Sequence, residues 1–212
     1  MVSRKGRPRP ASIAVVMKIP WPAAVLAGGA SKRMGRPKAA LPYGAATLLE
    51  FQTARLAEVF ETVLVVAKEE PATPIGPARL VLDRDAGHAA IHGLARALEE
   101  AADRIFVLAV DLPAVAPALM RAIAEEAGRR DAPAVLPRAD GRLQPLAGVW
   151  RRAALPVVGR RIEAGDLSLH GLAEEVGAET LDEGWWRRFD PSGNAFANLN
   201  TLEDYAALRE RA

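Results

Sequence analysis

A short stretch of the chain gathers the residue types that a polyanion needs. Gly28 and Gly29 follow an apolar run, Arg33 and Lys38 come soon after, and Ser31 lies between them. Paired glycines let the backbone turn sharply and approach a ligand with no Cβ in the way. Successive N–H groups in such a turn form an anion-binding nest. Arg adds a planar fork of donors, and Lys adds a point charge on a flexible stem. Taken alone, two glycines after a strand read as a tight turn, and it is the whole string from Leu26 to Lys38 that is specific. Two further residues stand at similar places. Asp111 ends the apolar run Arg104 to Val110 and precedes Leu-Pro, and Asp83 ends the run Arg79 to Leu82. One carboxylate together with substrate phosphates is enough to hold Mg²⁺, which keeps most of its waters. The ordinary reading of a strand-end Asp is a helix cap or a turn. The next helix after Asp111 starts several residues later, so capping accounts for it poorly. Asp83 and Asp85 flank Arg84 before a helix, and either can cap it.

The elements that must carry these residues alternate between strand and helix. Apolar runs at Ala23 to Ala27, Thr62 to Ala67, Arg79 to Leu82, Arg104 to Val110, Pro133 to Pro137 and Gln144 to Trp150 read as strands. Helical spacing marks Thr47 to Phe60, Ala89 to Ala102, Pro117 to Gly128, a segment from Arg151 onward, and Thr201 to Arg211. Strands that are apolar throughout are covered on both faces. The sequence therefore predicts a three-layer α/β/α fold with a mostly parallel sheet. Ligands in such folds sit beyond the carboxyl ends of the strands. Gly28, Asp83 and Asp111 all fall at such ends.

Composition removes several other functions. Without Cys there is no disulfide framework, thiolate metal site or Cys nucleophile. No GxxxxGK[ST] or GxGxxG string is present, which excludes a P-loop and a dinucleotide fingerprint. The net charge of +2 is local: Arg4, Lys5, Arg7 and Arg9 leave −2 on the rest of the chain. Nucleic acid is accordingly not an expected partner. Residues 1–16 read as a disordered basic tail, with Met17 as an alternative start, and 17–212 as a single domain. The apolar stretch before Lys18 is too short for a secretory signal, and no run reaches the about 20 residues of a membrane span. The expected setting is cytoplasmic.

The string Leu26 to Pro42, LAGGASKRMGRPKAALP, resembles the signature loop of the nucleotidyltransferases that attach a nucleotide to the molybdenum cofactor. The resemblance runs from about Ala23 to about Tyr205 and takes in Val107 to Pro113 and Phe196 to Tyr205. Gly28-Gly29 and Asn198 to Thr201 resemble the guanylyltransferase branch. The resemblance implies a Rossmann-like nucleotidyltransferase fold and transfer of GMP from GTP to molybdopterin, with Mg²⁺ and release of pyrophosphate. It implies that Leu26, Ala27, Gly28, Gly29 and Ser31 wrap the nucleotide, and that Lys38 meets the phosphates with Arg33 beside it. It further implies that Asp83 contacts the nucleotide, that Asp111 is the Mg²⁺ ligand, and that Asn198 and Asn200 line the molybdopterin side. A monomer or small homo-oligomer in transient contact with molybdoenzymes or other cofactor-biosynthesis proteins is expected. The sequence also departs from that branch. Val65-Val66-Ala67 stands where an Asn is common, and His88 to Gly93 replaces a Pro-Leu-Ala-Gly string. Arg36-Pro37-Lys38 resembles the cytidylyltransferase version of the loop.

Three other readings are open: a cytidylyltransferase using CTP, a sugar-phosphate nucleotidyltransferase, and a nucleotide-binding regulator without catalysis. His88 and His92, at i and i+4, can share a helix face, but with no third ligand they read as exposed or pocket-edge residues. His170 reads as a helix-surface residue, and Trp185 and Trp186 as closing the core or an edge. Thr201 and Asp204 have the spacing of a capping box.

Overall fold

The computed structural model describes residues 17–28, 37–199, 201 and 204. The expected tail over 1–16, the loop residues Gly29, Ser31 and Arg33, and Asn200 lie outside the described residues, as does most of the expected final helix.

The chain begins with β1 (Ala23–Leu26), and a single 3₁₀ turn over Lys38–Ala40 leads into a hairpin of β2 (Pro42–Tyr43) and β3 (Ala46–Thr47). Helix α1 (Leu48–Val59) follows, capped by Thr47. The Thr47 hydroxyl accepts from the Glu50 N–H at 3.3 Å, and the Glu50 carboxylate accepts from the Thr47 N–H at 2.9 Å. Then come β4 (Val63–Ala67), β5 (Arg79–Leu82), α2 (Ala90–Glu99), β6 (Arg104–Ala109) and α3 (Pro117–Gly128). The second half holds β7 (Ala134–Ala139), β8 (Arg142–Leu143), β9 (Ala147–Arg151), α4 (Leu155–Glu163), α5 (Leu169–Glu175), β10 (Glu179–Leu181) and α6 (Glu183–Trp186). The expected strands, and the expected helices before the final one, are found, with ends shifted by a few residues. The hairpin, β8, α5, β10 and α6 were not read from the sequence, because each is too short to show a period.

The main sheet has the order β10-β7-β9-β6-β1-β4-β5, with β8 paired to β7. Neighbours β6, β1, β4 and β5 are parallel, and so are β7 and β10, whereas β9 runs antiparallel to both β6 and β7. Alternate residues of the central strands feed opposite faces. Ala23, Val25, Val65, Phe106 and Leu108 pack with α1 and α3 in one cluster, and Ala24, Leu26, Val66, Ile105 and Val107 pack with α2 and α4 in the other. This explains why β1, β4 and most of β6 read as continuous apolar runs. The edge strand β5 departs from the expectation, with Val81 as its one buried residue.

Trp186 is 1% exposed and meets Phe196 edge-on at 5.0 Å, while its indole N–H donates to the Arg138 carbonyl. Trp185 packs on Phe189 at the surface. Both Trp residues therefore close the fold, at a distance from the central strand tips. His170 is exposed on α5.

Candidate active site

Four neighbouring strands place their carboxyl ends side by side, and the residues just beyond them line one cavity. Ala27 and Gly28 come from β1, Ala67 and Lys68 from β4, Asp83 from β5, and Val110 and Asp111 from β6. Lys38 reaches in from the 3₁₀ turn, and Ala89, Ala90 and Gly93 form the α2 side. Leu26, Ala27, Gly28, Lys38, Asp83 and Asp111, distant in sequence, are thus brought together as expected. The alignment follows from parallel pairing, which puts equivalent ends of these strands at one edge of the sheet.

Lys38 and Asp111 are directly paired, Nζ to Oδ2 at 2.9 Å, with side chains 18% and 27% exposed. The alternative that Asp111 caps a helix does not hold. The residue capping α3 is Ala116, with no side-chain bond. The Asp111 backbone is held from two directions. The Val110 N–H donates to the Leu26 carbonyl, and the Leu199 N–H donates to the Asp111 carbonyl. The loop beyond it is gripped by Arg55 of α1, which donates to the Pro113 carbonyl at 2.6 Å and lies over the Phe51 ring. Burial pushes the Arg55 guanidinium below its ordinary pKa.

Asp83 also caps no helix, since Ala89 stands at the start of α2. Its carboxylate is almost enclosed. Oδ2 pairs with Lys68 Nζ at 2.7 Å, and Oδ1 accepts from the Asp85 N–H at 3.1 Å. Lys68 was missed in the sequence. The signal was present, because Lys68 follows the β4 run as directly as Asp83 follows β5. Lys68 also donates to the Asp85 carbonyl at 2.8 Å.

The structure bears out the exposed, pocket-edge reading for His88 and corrects it for His92. His88 precedes α2 and is exposed at the cavity, so the pair does not share a helix face. His92 is buried, with Nδ1 3.3 Å from Asp85 Oδ2. It is buried because Gly87 lies directly against it. A Cβ at Gly87 would sit 2.0 Å from His92 Nε2. Gly87→Ala is therefore expected to displace His92 or the 83–88 loop, at about 1 to 3 kcal/mol, read as a fall in the thermal midpoint. At Gly28 the φ lies outside the left-handed region, and a Cβ there would make only an ordinary 3.7 Å contact with Lys68 Cγ. The fold itself does not need glycine at 28; what glycine leaves open is room beside Lys68.

Asn198 is exposed and is not among the cavity's residues, although its neighbour Leu199 is tied to Asp111. Thr201 and Asp204 do form the reciprocal capping bonds, at 2.9 and 3.0 Å. Among the described residues no group of three His, Asp or Glu side chains is placed to hold a metal, and no helix is long and apolar enough to cross a membrane.

The chain is similar to known proteins in sequence and in fold. The chain is 34% identical over 192 residues to a probable molybdenum cofactor guanylyltransferase of Mycobacterium avium, covering 88% of this chain and 93% of that one. A protein of the same description from Chloroflexus aggregans is 35% identical over 188 residues, covering 85% and 89%. The crystal structure of molybdopterin-guanine dinucleotide biosynthesis protein A from Archaeoglobus fulgidus has the same fold, with a TM-score of 0.80 at 23% identity over 90% of this chain and 97% of that one. The domain described as the MobA-like NTP transferase domain matches residues 23–178, the span that contains β1, the Lys38 turn and the tips carrying Asp83 and Asp111, and the chain belongs to that family.

Proposed function

We propose that this protein transfers GMP from GTP to molybdopterin and releases pyrophosphate. One observation carries the reading: the Lys38–Asp111 pair stands at the rim of a cavity whose other walls are strand tips and the open backbone at Gly28. The Lys38–Asp111 pair at one end, and apolar residues with the Lys68–Asp83 pair at the other, suit a triphosphate joined to a flat, polar-edged base.

The chemistry asks little of the protein beyond placement and charge. The attacking group is a phosphate of the acceptor, already anionic at neutral pH, so no general base is required. Lys38 offsets the negative charge that accumulates on the departing pyrophosphate. The Gly28 backbone holds the triphosphate chain, with Gly29, Ser31 and Arg33 assigned to the same task. Asp111 fits Mg²⁺: its carboxylate is part-exposed at the cavity, and it already stabilises a positive charge 2.9 Å away. A single carboxylate is what Mg²⁺ bound mainly through phosphates and waters requires. When bound, Mg²⁺ supplies charge neutralisation at the phosphate oxygens. Asn198 and Asn200 are assigned to the acceptor side, next to the Leu199–Asp111 tie.

The test is pyrophosphate release with molybdopterin, Mg²⁺ and either GTP or CTP. Turnover with GTP and little with CTP is expected. Turnover with CTP alone makes the protein a cytidylyltransferase, and turnover with a sugar phosphate in place of molybdopterin rejects the acceptor.

A further inference from the structure

Within the cavity, the more exposed member of the ion pair on the β4–β5 side is not the one the sequence points to. Asp83 is only 5% exposed in its side chain, against 19% for Lys68. Both Asp83 oxygens are engaged, one by the Lys68 ammonium and one by the Asp85 N–H. Lys68 has three N–H donors. Two are taken, by Asp83 and by the Asp85 carbonyl. Its stem runs beside Gly28, where a Cβ would lie 3.7 Å from Lys68 Cγ. The loop that receives it is fixed from below, by His92 on Asp85 and by the contact of Gly87 with His92. The ammonium is therefore held in one place by Asp83 and by the Asp85 carbonyl.

Its place on the sheet indicates which part of a nucleotide it meets. Asp111 is on the tip of β6 and Lys68 on the tip of β4, with β1 between them. Two strand spacings separate them, about 10 Å. That is of the order of the distance from the α-phosphate to the far edge of a base. Besides Asp83 and His88, the cavity on the α2 side is lined by the apolar Leu26, Val66, Ala67, Ala89 and Ala90, which suit the flat faces of a heteroaromatic ring. We propose that Lys68 is the side chain that touches the nucleobase, selecting a carbonyl oxygen over an amino group at the contacted edge. Asp83 is then a positioning residue for Lys68. Guanine offers the O6 acceptor where adenine offers the N6 amino donor, and an ammonium, which only donates, donates to the first and is opposed by the second. This inference rests on the cavity's being a nucleotide site, as proposed above.

Equilibrium titration of the full chain with GTP, ITP, ATP and CTP, each with Mg²⁺, tests it. ITP keeps O6 and lacks the 2-amino group. GTP and ITP should bind within about threefold of each other and ATP at least about tenfold more weakly. Lys68→Met should bring the GTP to ATP ratio to within about threefold, while Lys68→Arg should preserve the preference. Lys68→Met leaves a buried carboxylate without its cation, so Lys68→Met/Asp83→Asn is measured beside it, with melting curves on both; the ratio should collapse in the double variant too. An unchanged GTP to ATP ratio in either variant overturns the proposal, as does an ITP affinity in the wild-type protein as poor as that of ATP. The two readings fail separately. If CTP alone binds and Lys68→Met weakens it at least about tenfold, the guanine reading fails and the Lys68 contact stands. If no nucleotide binds, both fail.

Discussion

Asp111→Asn is expected to remove Mg²⁺-dependent turnover, lowering kcat/KM by about 10³ or more, while the fold survives. Asn is nearly the same size and replaces a part-exposed side chain. The backbone ties at this position, from Leu199 to the Asp111 carbonyl and from Val110 to Leu26, do not involve the carboxylate. What is lost is the negative charge. The amide cannot balance a divalent cation, and it leaves Lys38 facing a neutral group. Pyrophosphate release across a Mg²⁺ titration measures the effect, with a melting curve as control. A variant whose turnover still rises with Mg²⁺ as the wild type's does would dismiss Asp111 as the metal ligand.

Lys38→Ala has the second largest expected effect, and the pairing with Asp111 makes it two-sided. Turnover should fall by about 10² or more, the usual cost of removing one donor aimed at charge developing in the transition state. Affinity for the divalent ion should move the other way. An ammonium 2.9 Å from Asp111 Oδ2 competes with any cation for the same carboxylate. Its removal should tighten Mn²⁺ or Mg²⁺ binding measured calorimetrically without nucleotide. Slower turnover with tighter metal binding is the signature of Lys38 acting on the phosphates. Wild-type kcat/KM in this variant would remove Lys38 from the reaction. The two substitutions should not add, because each destroys the same contact.

The site was legible where chemistry coincided with an apolar run. Gly28, Asp83 and Asp111 each follow such a run, and that position together with the glycine- and cation-bearing string singled them out. The same rule, applied to β4, would have reached Lys68. His92 was not legible: burial of an imidazole depends on Gly87 closing against it, a contact between loop and helix that no local pattern carries. The antiparallel direction of β9 was equally hidden, since a buried strand reads alike in either sense. Short elements such as β8, β10 and α6 hold too few residues to display a period.

The amino-acid sequence by itself determined the layered α/β architecture, the strand ends that bear reactive groups, and the family through its glycine- and cation-bearing loop. These are written in periodicity and residue type, which are local properties. The tertiary structure decided which of those groups meet. Lys38 lies 2.9 Å from Asp111 although the two are 73 positions apart in the chain, and Lys68 pairs with Asp83 at the same cavity. Such pairings follow from the order β6-β1-β4-β5, which is set by how the helices cover both faces of the sheet together, and charge partners across that edge become definite only once the strands lie side by side.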